Sequence, residues 1–387
     1  MSSKRFWIAC TSGMALITLL AAWGLSYIFL QQYTQSVADR LQLLNELRKG
    51  ALENYFSTAK AELNFWSSNP EILNTQIQLN NLWQAIEDKP LALQKMRHFY
   101  VDTNPFPSGE LRSLDDAADG SPYSALHRAL HPRAKLFVTE RGYYDVFLIG
   151  RQGTVFYTVE KESDYGTNLL DGKWRDTGLA EVYRKAIAEP TDIVISDMEA
   201  YRPSSGAPAI FIATALTGSR GEPLGVIAFQ LPTSHILSIM NYTSGMGETG
   251  ETYLVGQDNI MRSDSRFTEA SAVIKQSVDT ATVNKALAAQ SGVEYVVDYR
   301  DIEVLSAYTN IEVGDTSWAV MAEIDRAEVR LGAAHERPNL TGILLFFFSL
   351  SLWSAWYWRS GQVASSDADF ADLGVDFESG NFDDSMG

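Results

Sequence analysis

Hydrophobic and polar positions follow three different rhythms along this chain. Residues 6–38 and 338–358 carry no charge, and within them residues 6–30 and 340–358 are mostly apolar. Between these runs Val37, Leu41, Leu44, Leu47, Ala51, Tyr55, Ala59, Leu63 and Trp66 recur at steps of three and four. That period predicts one amphipathic helix over residues 31–70. Asn69-Pro70 ends it, because a residue before proline is pushed out of the helical region. Gly50 is the only glycine in the stretch, and two helices broken there are the alternative. From residue 142 onward β-branched and aromatic residues dominate, and Gly, Pro and Ser clusters cut the runs into strands.

The strand pattern is written twice. Residues 142–170 read as a hairpin, with Gly150 and Gly153 flanking the turn residues Arg151 and Gln152. Residues 251–267 repeat it, Leu148-Ile149-Gly150 matching Leu254-Val255-Gly256. A helix follows each copy, at 177–188 and 279–289. Three strands come next, at 192–196, 209–215 and 224–231, then at 295–299, 304–309 and 318–324. The closing strands also match, 226–231 beside 319–324, and the glycines of 245–250 make the turn between the copies. Ahead of them, residues 79–86, 91–100 and 124–130 show helical patterns, the last stopped by Pro132, and 104–109 is a turn-rich loop. The helical period returns over 323–331. The expected fold class is α+β: a long N-terminal helix with two tandem five-stranded antiparallel sheets, each backed by helices on one face.

At about 1.5 Å per residue the first apolar run, 25 residues, reaches roughly 37 Å and the second, 19 residues, roughly 28 Å. Both match a hydrocarbon core about 30 Å thick. Trp353, Trp356, Tyr357 and Trp358 crowd the end of the second run, as an interfacial aromatic belt does. Lys4 and Arg5 precede the first run and Arg359 follows the second. Positive flanks stay in the cytoplasm, so the expectation is two transmembrane helices, both termini inside and residues 31–338 outside. A cleaved signal peptide is the alternative for the first run, although its apolar stretch exceeds the usual signal core of about 7–15 residues. A buried core helix is the alternative for the second.

Formal net charge is −17, and residues 360–387 hold seven acids and no base. Such a balance excludes a nucleic-acid partner, which needs clustered Lys and Arg. Cys10 is the single cysteine, so no intramolecular disulfide forms. There is no nucleophile elbow, Walker loop or Cys–His pattern. No catalytic residue, cofactor or metal set is expected, and the chain does not read as an enzyme. His127 and His131 stand at a spacing that can hold a metal but read as a polar helix face. Glu160, Glu162 and Asp164 read as a solvated loop. The candidate ligand-binding residues are Tyr144, Tyr157, Asp197, Tyr201, Arg202 and Phe211, aromatic surface with a few placed polar groups. Arg202 suits an anionic ligand and Asp197 a cationic one. In the tail, Phe370, Leu373, Val375, Phe377 and Phe382 alternate with acids, a segment too short for a core.

Several stretches resemble a subgroup of double Cache sensors seen in bacterial methyl-accepting chemotaxis proteins and adenylate/guanylate cyclases. They are Asn104-Pro105, His127 with His131-Pro132, Gly-Tyr-Tyr-Asp-Val-Phe-Leu-Ile from Gly142, Tyr-Thr-Val-Glu-Lys-Glu from Tyr157 and Tyr-Gly-Thr-Asn-Leu from Tyr165. Tyr-Arg-Pro-Ser-Ser-Gly-Ala-Pro-Ala from Tyr201, Gly-Met-Gly-Glu-Thr-Gly-Glu-Thr-Tyr-Leu-Val-Gly from Gly245 and Met-Arg-Ser-Asp-Ser-Arg-Phe from Met261 complete the set. The resemblance covers roughly residues 35–330. It implies PAS-like sheets, a membrane-distal module over 71–235 and a membrane-proximal module over 236–330. It further implies a small extracytoplasmic ligand, a homodimer, and a bacterial inner membrane with the sensor in the periplasm. The arginine–tryptophan–aspartate pattern of amino-acid-sensing Cache domains is not matched. Family members continue into a HAMP linker and an output domain, whereas 29 residues, 359–387, follow Trp358 here. A separate signalling partner, reached through the transmembrane helices and the acidic tail, is therefore expected. A ligand-free scaffold subunit on the same fold is the rival reading.

Overall fold

The computed structural model describes residues 3–336, 342, 345–354 and 356–357. The elements are α1 (Ser3–Ser67), α2 (Pro70–Ala85), α3 (Lys89–Arg97), α4 (Pro122–Arg141), β1 (Asp145–Gly150), β2 (Val155–Thr158), α5 (Gly178–Ala188), β3 (Ile193–Ile195), β4 (Glu199–Tyr201), β5 (Ala207–Thr217), β6 (Pro223–Leu231), α6 (Thr233–Met240), β7 (Glu251–Val255), α7 (Ala281–Leu287), β8 (Gly292–Val297), β9 (Glu303–Val313), β10 (Thr316–Asp325) and α8 (Arg326–Glu336). Described residues of 37–328 form one compact unit; those of 3–36 and from 329 onward form the other.

In the second unit α8 runs close to α1, since a Cβ at Gly332 would meet the Tyr33 hydroxyl. Among the described residues one helix, Ser12–Ser67, is long and apolar enough to cross a membrane, and Leu345–Ser354 is a shorter apolar helix. The expected second anchor, 340–358, lies partly outside the described residues. The acidic tail, 359–387, lies wholly outside them.

α1 passes Gly50 without a break. A mid-helix glycine costs about 1 kcal/mol relative to alanine, little against the buried stripe of Leu41, Leu52, Phe56, Ala59 and Leu63. Asn69 then caps α2 by accepting the Glu71 N–H at 2.8 Å, with Pro70 in the first turn. α4 does not stop at Pro132 but runs through it. Its buried face, Leu130, Ala134 and Val138, packs on the sheet core and offsets the bond the proline removes.

The larger unit holds two antiparallel sheets. The first has the order β2-β1-β6-β5-β3, with β4 paired to β5, and the second the order β7-β10-β9-β8. The second therefore repeats β1-β6-β5-β3 without the edge strand. Six and four strands replace the expected five and five. β4 had too few apolar residues to read as a strand. In the second copy the hairpin's outer arm makes only isolated bridges, Val255 to Met261 and Ile260 to Ser277. There the Ser263 hydroxyl accepts the Leu254 N–H at 2.9 Å, a bond a ladder would otherwise make. α6 spans the expected division at residues 235 and 236.

Each sheet has two covered faces. Val146, Leu148, Ile212, Ile227 and Phe229 of the first sheet and Ile311, Trp318 and Val320 of the second share one core with α1, α2 and α4. On the opposite face of the first sheet, Phe147, Ile149, Phe211, Ala213 and Ala228 pack under α5, Trp174 and Tyr201. The sheets also meet through a buried ion pair. Arg262, 3% exposed, donates from Nε and Nη2 to Asp197 at 3.1 and 2.8 Å, and Trp318 Nε1 donates to the same carboxylate at 2.8 Å. Burial alone raises the Asp197 carboxyl, but the guanidinium outweighs it and holds the group below its usual range.

Asp197→Ala leaves Arg262 with Asp258 and the Ile260 carbonyl as partners. The change is expected to lower unfolding stability by about 2 kcal/mol, and Asp197→Asn by less, in urea denaturation of the full chain. A midpoint unmoved by either substitution would show that the bridge holds nothing together.

Candidate functional site

The row that ends the covered face of the first sheet is polar. Asp145 on β1 stands opposite Gln230 on β6, and Gln230 stands opposite Phe211 on β5. Asp145 is fully buried, and its Oδ1 accepts N–H groups from Val146, Val159 and Glu160 at 2.7, 2.7 and 3.3 Å. Those bonds curl the chain after β2 into a loop, with Lys161 at a φ of 55°. The loop carries Glu162 and Asp164 back over the sheet. Trp174 Nε1 fastens it by donating to the Ser163 carbonyl at 3.0 Å, and Arg97 does so by donating to the Tyr165 carbonyl at 2.7 Å.

β4 and the turn after it close the row from above. The Tyr201 ring meets Phe211 edge-on at 4.8 Å, and its hydroxyl donates to Asp164 Oδ2 at 2.6 Å. The Ser204 hydroxyl donates to Glu162 Oε2 at 2.6 Å, and the Tyr144 hydroxyl donates to Glu162 Oε1 at 2.8 Å. Gln230 Nε2 donates to Ser204 Oγ at 3.3 Å. On this face three buried acceptors have no hydrogen-bond partner among the described residues: Asp145 Oδ2, Asp164 Oδ1 and Gln230 Oε1. Burial, and then the charges of Glu160 and Asp164, push the Asp145 carboxyl well above its ordinary range. Burial raises Asp164 to about 7, against the Tyr201 hydrogen bond. This face can accept hydrogen bonds and positive charge.

Of the six residues expected from sequence, Tyr201, Phe211 and Tyr144 belong to this set. Tyr157 does not, because it pairs with Leu148 and turns to the helix face. There its hydroxyl lies 2.7 Å from His131 Nδ1. The Asp197 carboxylate is taken by Arg262 and Trp318. Arg202 is exposed at the rim. Two further expectations are corrected. Asp164 is 1% exposed rather than solvated, because Tyr201 and Trp174 fold its loop onto the sheet. His127 and His131 are buried rather than on a polar surface. His131, brought to about 3 by burial and then by the Lys161 charge, is neutral. Its Nε2 lies 2.7 Å from the Arg112 carbonyl and 3.0 Å from Lys161 Nζ, and its Nδ1 lies against the Tyr157 hydroxyl.

Residues 29–333 match the family model for the Cache domain. The chain belongs to the Cache family. Its two modules make it a double Cache sensor domain. The fold is similar to the sensory domain of the Campylobacter jejuni chemoreceptor Tlp3, at 14% identity and a TM-score of 0.46, over 78% of this chain and 99% of that one. It is also similar to the ligand-binding domain of the Pseudomonas aeruginosa PAO1 amino acid chemoreceptor PctC solved with GABA, at 15% identity and a TM-score of 0.37, over 64% of this chain and 95% of that one. A search of curated proteins gives no match.

Asp145 and Gln230 of this Cache chain are not among the candidates the sequence offers, and Asp164 reads there as solvated. Asp145 was findable as the one acid in an apolar strand, Tyr-Asp-Val-Phe-Leu-Ile. Asp164 sets a pH dependence. Its usual value is 3.8 and its folded value about 7. Between these the unfolded chain is ionised and the folded chain protonated, so stability falls as pH rises through this window and the loss is complete above it. The melting temperature of the full chain is expected to drop from pH 5 to pH 8, and to drop less in Asp164→Asn. Identical pH slopes in the two proteins would reject this account of Asp164.

Proposed function

We propose that this chain is a membrane-anchored extracytoplasmic sensor whose distal module, residues 71–235, binds a small molecule carrying an ammonium group. The observation that supports it most is the trio of unpartnered buried acceptors, Asp145 Oδ2, Asp164 Oδ1 and Gln230 Oε1, on one sheet face. An unpaired buried acceptor costs about 1–3 kcal/mol, and an ammonium donor would satisfy all three. Tyr201 and Phe211 supply aromatic surface beside them, which favours a cation. Entry requires residues 201–206 to lift from the sheet. Ser205 and Gly206 hold positive φ values of 59° and 78° in that segment, a tight turn at its tip. Arg202, exposed on the same segment, would meet an anionic end of the ligand.

In the fuller reading, residues 6–30 and 340–358 anchor the chain in a bacterial inner membrane, with both termini cytoplasmic and residues 31–338 in the periplasm. The proximal module, 236–330, relays the signal. Leu43 and Leu47, each 60% exposed on α1, support pairing with a second copy. The membrane helices and acidic tail pass the signal to a separate protein. A cysteine placed at Ser219 in a Cys10→Ser background is expected to react with a membrane-impermeant maleimide in intact cells, and one at Ser2 or Ser379 is not. The reverse labelling would overturn the topology.

A second reading puts the ligand on the helix side of the distal sheet. An apolar cavity of about 310 Å³ there is lined by Leu79, Trp83, Phe99, Tyr100, Tyr123 and Phe156, away from the acceptor trio. Calorimetric titration of the full chain with primary amines, amino acids, carboxylates and apolar aromatics separates the readings. Amine binding that weakens at least tenfold in Asp164→Asn is the expected result. Heat from apolar aromatics alone, lost in Trp83→Ala, would move the site to the helix side. Silence across the panel would favour the ligand-free scaffold.

A further inference from the structure

The second sheet carries the same row, with acids in its places. Glu251 on β7 stands opposite Glu323 on β10, as Asp145 on β1 stands opposite Gln230 on β6. Asp298, just past β8, completes the group. One oxygen from each of Glu251, Asp298 and Glu323 lies within 4.8 Å of the other two. The three residues are 2%, 5% and 0% exposed. Hydroxyl groups surround them: Ser265 and Tyr299 each donate to Glu251 at 2.8 Å, and Ser306 donates to Glu323 Oε1 at 2.7 Å. Among the described residues Glu323 Oε2 is buried in this cluster without a well-formed hydrogen bond, and the equally buried Tyr253 hydroxyl, facing the same carboxylate, has none either. Arg300 donates from Nε to Asp298 Oδ2 at 2.6 Å and from Nη2 to Asp325 at 2.8 Å. One guanidinium thus faces four carboxylates. Like charges gathered out of water cannot all stay ionised without another cation.

We propose that Glu251, Asp298 and Glu323 hold a hard divalent cation of the calcium class in the proximal module. The donors are all oxygen, which excludes the soft metals that thiolates and imidazoles select. Calcium binds oxygen at about 2.3–2.6 Å and tolerates irregular geometry, so it can bridge three carboxylates spread this far. Magnesium demands contacts near 2.0–2.1 Å, near-ideal octahedral geometry and usually retained water, which a fully buried trio does not offer. The free Glu323 oxygen would become a direct ligand. Ser265, Tyr299 and Ser306 would stay on the carboxylates and fix their orientation. A cleft of about 170 Å³ lined by Glu251, Ser265, Thr252 and Arg266 gives the ion a way in. The site is independent of the distal acceptor trio.

The test uses the full chain in detergent, stripped with EDTA. Calcium chloride is expected to raise its melting temperature at a concentration at least tenfold below that at which magnesium chloride does. Terbium chloride is expected to give luminescence sensitised by Tyr299, which hydrogen-bonds Glu251, and calcium is expected to quench it by displacement. Glu323→Gln should weaken both responses tenfold or more, while Glu189→Gln, at an exposed acid just past α5, leaves them unchanged. If Glu323→Gln does not fold, Glu251→Gln carries the same comparison. A stripped wild-type chain that shows neither calcium stabilisation nor calcium-displaceable terbium emission overturns the proposal, as does full calcium binding in a folded Glu323→Gln or Glu251→Gln variant.

Discussion

Buried carboxylates at the end row of each sheet are the constraint on which the covered faces depend. Asp145 shows why. Its Oδ1 takes three backbone N–H groups, two of them from Val159 and Glu160 beyond β2. Those donors have left the β1–β2 ladder and lie in a buried place, where an unmade hydrogen bond is costly. One carboxylate therefore ends the hairpin and starts the loop that covers it. The loop returns Asp164 and Glu162 to the same face, and Tyr201 and Ser204 close over them. In the second sheet Glu251 holds the corresponding place, and the Ser265 and Tyr299 hydroxyls converge on it. Both modules thus solve one problem, how to seal a sheet end, by burying an acid. Both are left with buried carboxylate oxygens that no hydrogen bond satisfies among the described residues.

The helix side solves a different problem, holding two sheets on one set of helices. Apolar contact alone would let the sheets slide, because it has no direction. Three side-chain amides supply the direction. Asn45 of α1 donates to the Ala307 and Val320 carbonyls at 3.1 and 2.8 Å, marking β9 and β10. On the distal side, Asn80 of α2 donates to the Leu224 carbonyl at 2.7 Å, and Gln76, one turn earlier, points at the same place. Gly225 is required there, since a Cβ would run into Gln76 and the Ile149 carbonyl. The helices therefore read the register of each sheet as well as its apolar face.

The periodicities carried most of this fold. The α1 stripe, the repeated strand order and the matched closing strands all follow from which positions are apolar. The repeat even fixes the equivalence of Asp145 with Glu251 and of Gln230 with Glu323, because Leu148 aligns with Leu254 and the closing strands align residue by residue. What stayed hidden was set by contacts distant in sequence. Whether Asp164 is solvated depends on Tyr201, 37 residues away. Whether Asp197 is free for a ligand depends on Arg262, 65 residues away. Pro132 looks like a helix stop until the buried face of α4 is known. Tyr157 looks like a neighbour of Tyr201 until the β1–β2 register, with its bulge after Leu148, turns it to the other side. Local pattern specifies elements; the partner of a buried polar atom is a property of the assembled chain.

The segment from Ser196 to Tyr201 joins the two chemistries. At one end the Ser196 hydroxyl accepts the Phe211 N–H at 3.0 Å, inside the distal row. At the other end Tyr201 closes on Asp164. Between them Asp197 is held by Arg262 and by Trp318 of the proximal sheet. Arg262 leaves no slack at its own end, because it lies against Gly256, where a Cβ would strike the guanidinium. A group that takes over Asp164 from Tyr201 must shift a segment whose middle is pinned to the proximal sheet. Ligand binding can favour only the state in which its contacts are better. In the proposed sensor the two states would differ in where residues 197–201 lie, and the preference of the first sheet's row for its occupant would be felt at Trp318. Trp318 in turn packs against Phe56 of α1, with ring centroids 6.1 Å apart. A continuous physical path thus runs from the acidic row of the distal sheet to the long helix, through one carboxylate, one guanidinium and one indole.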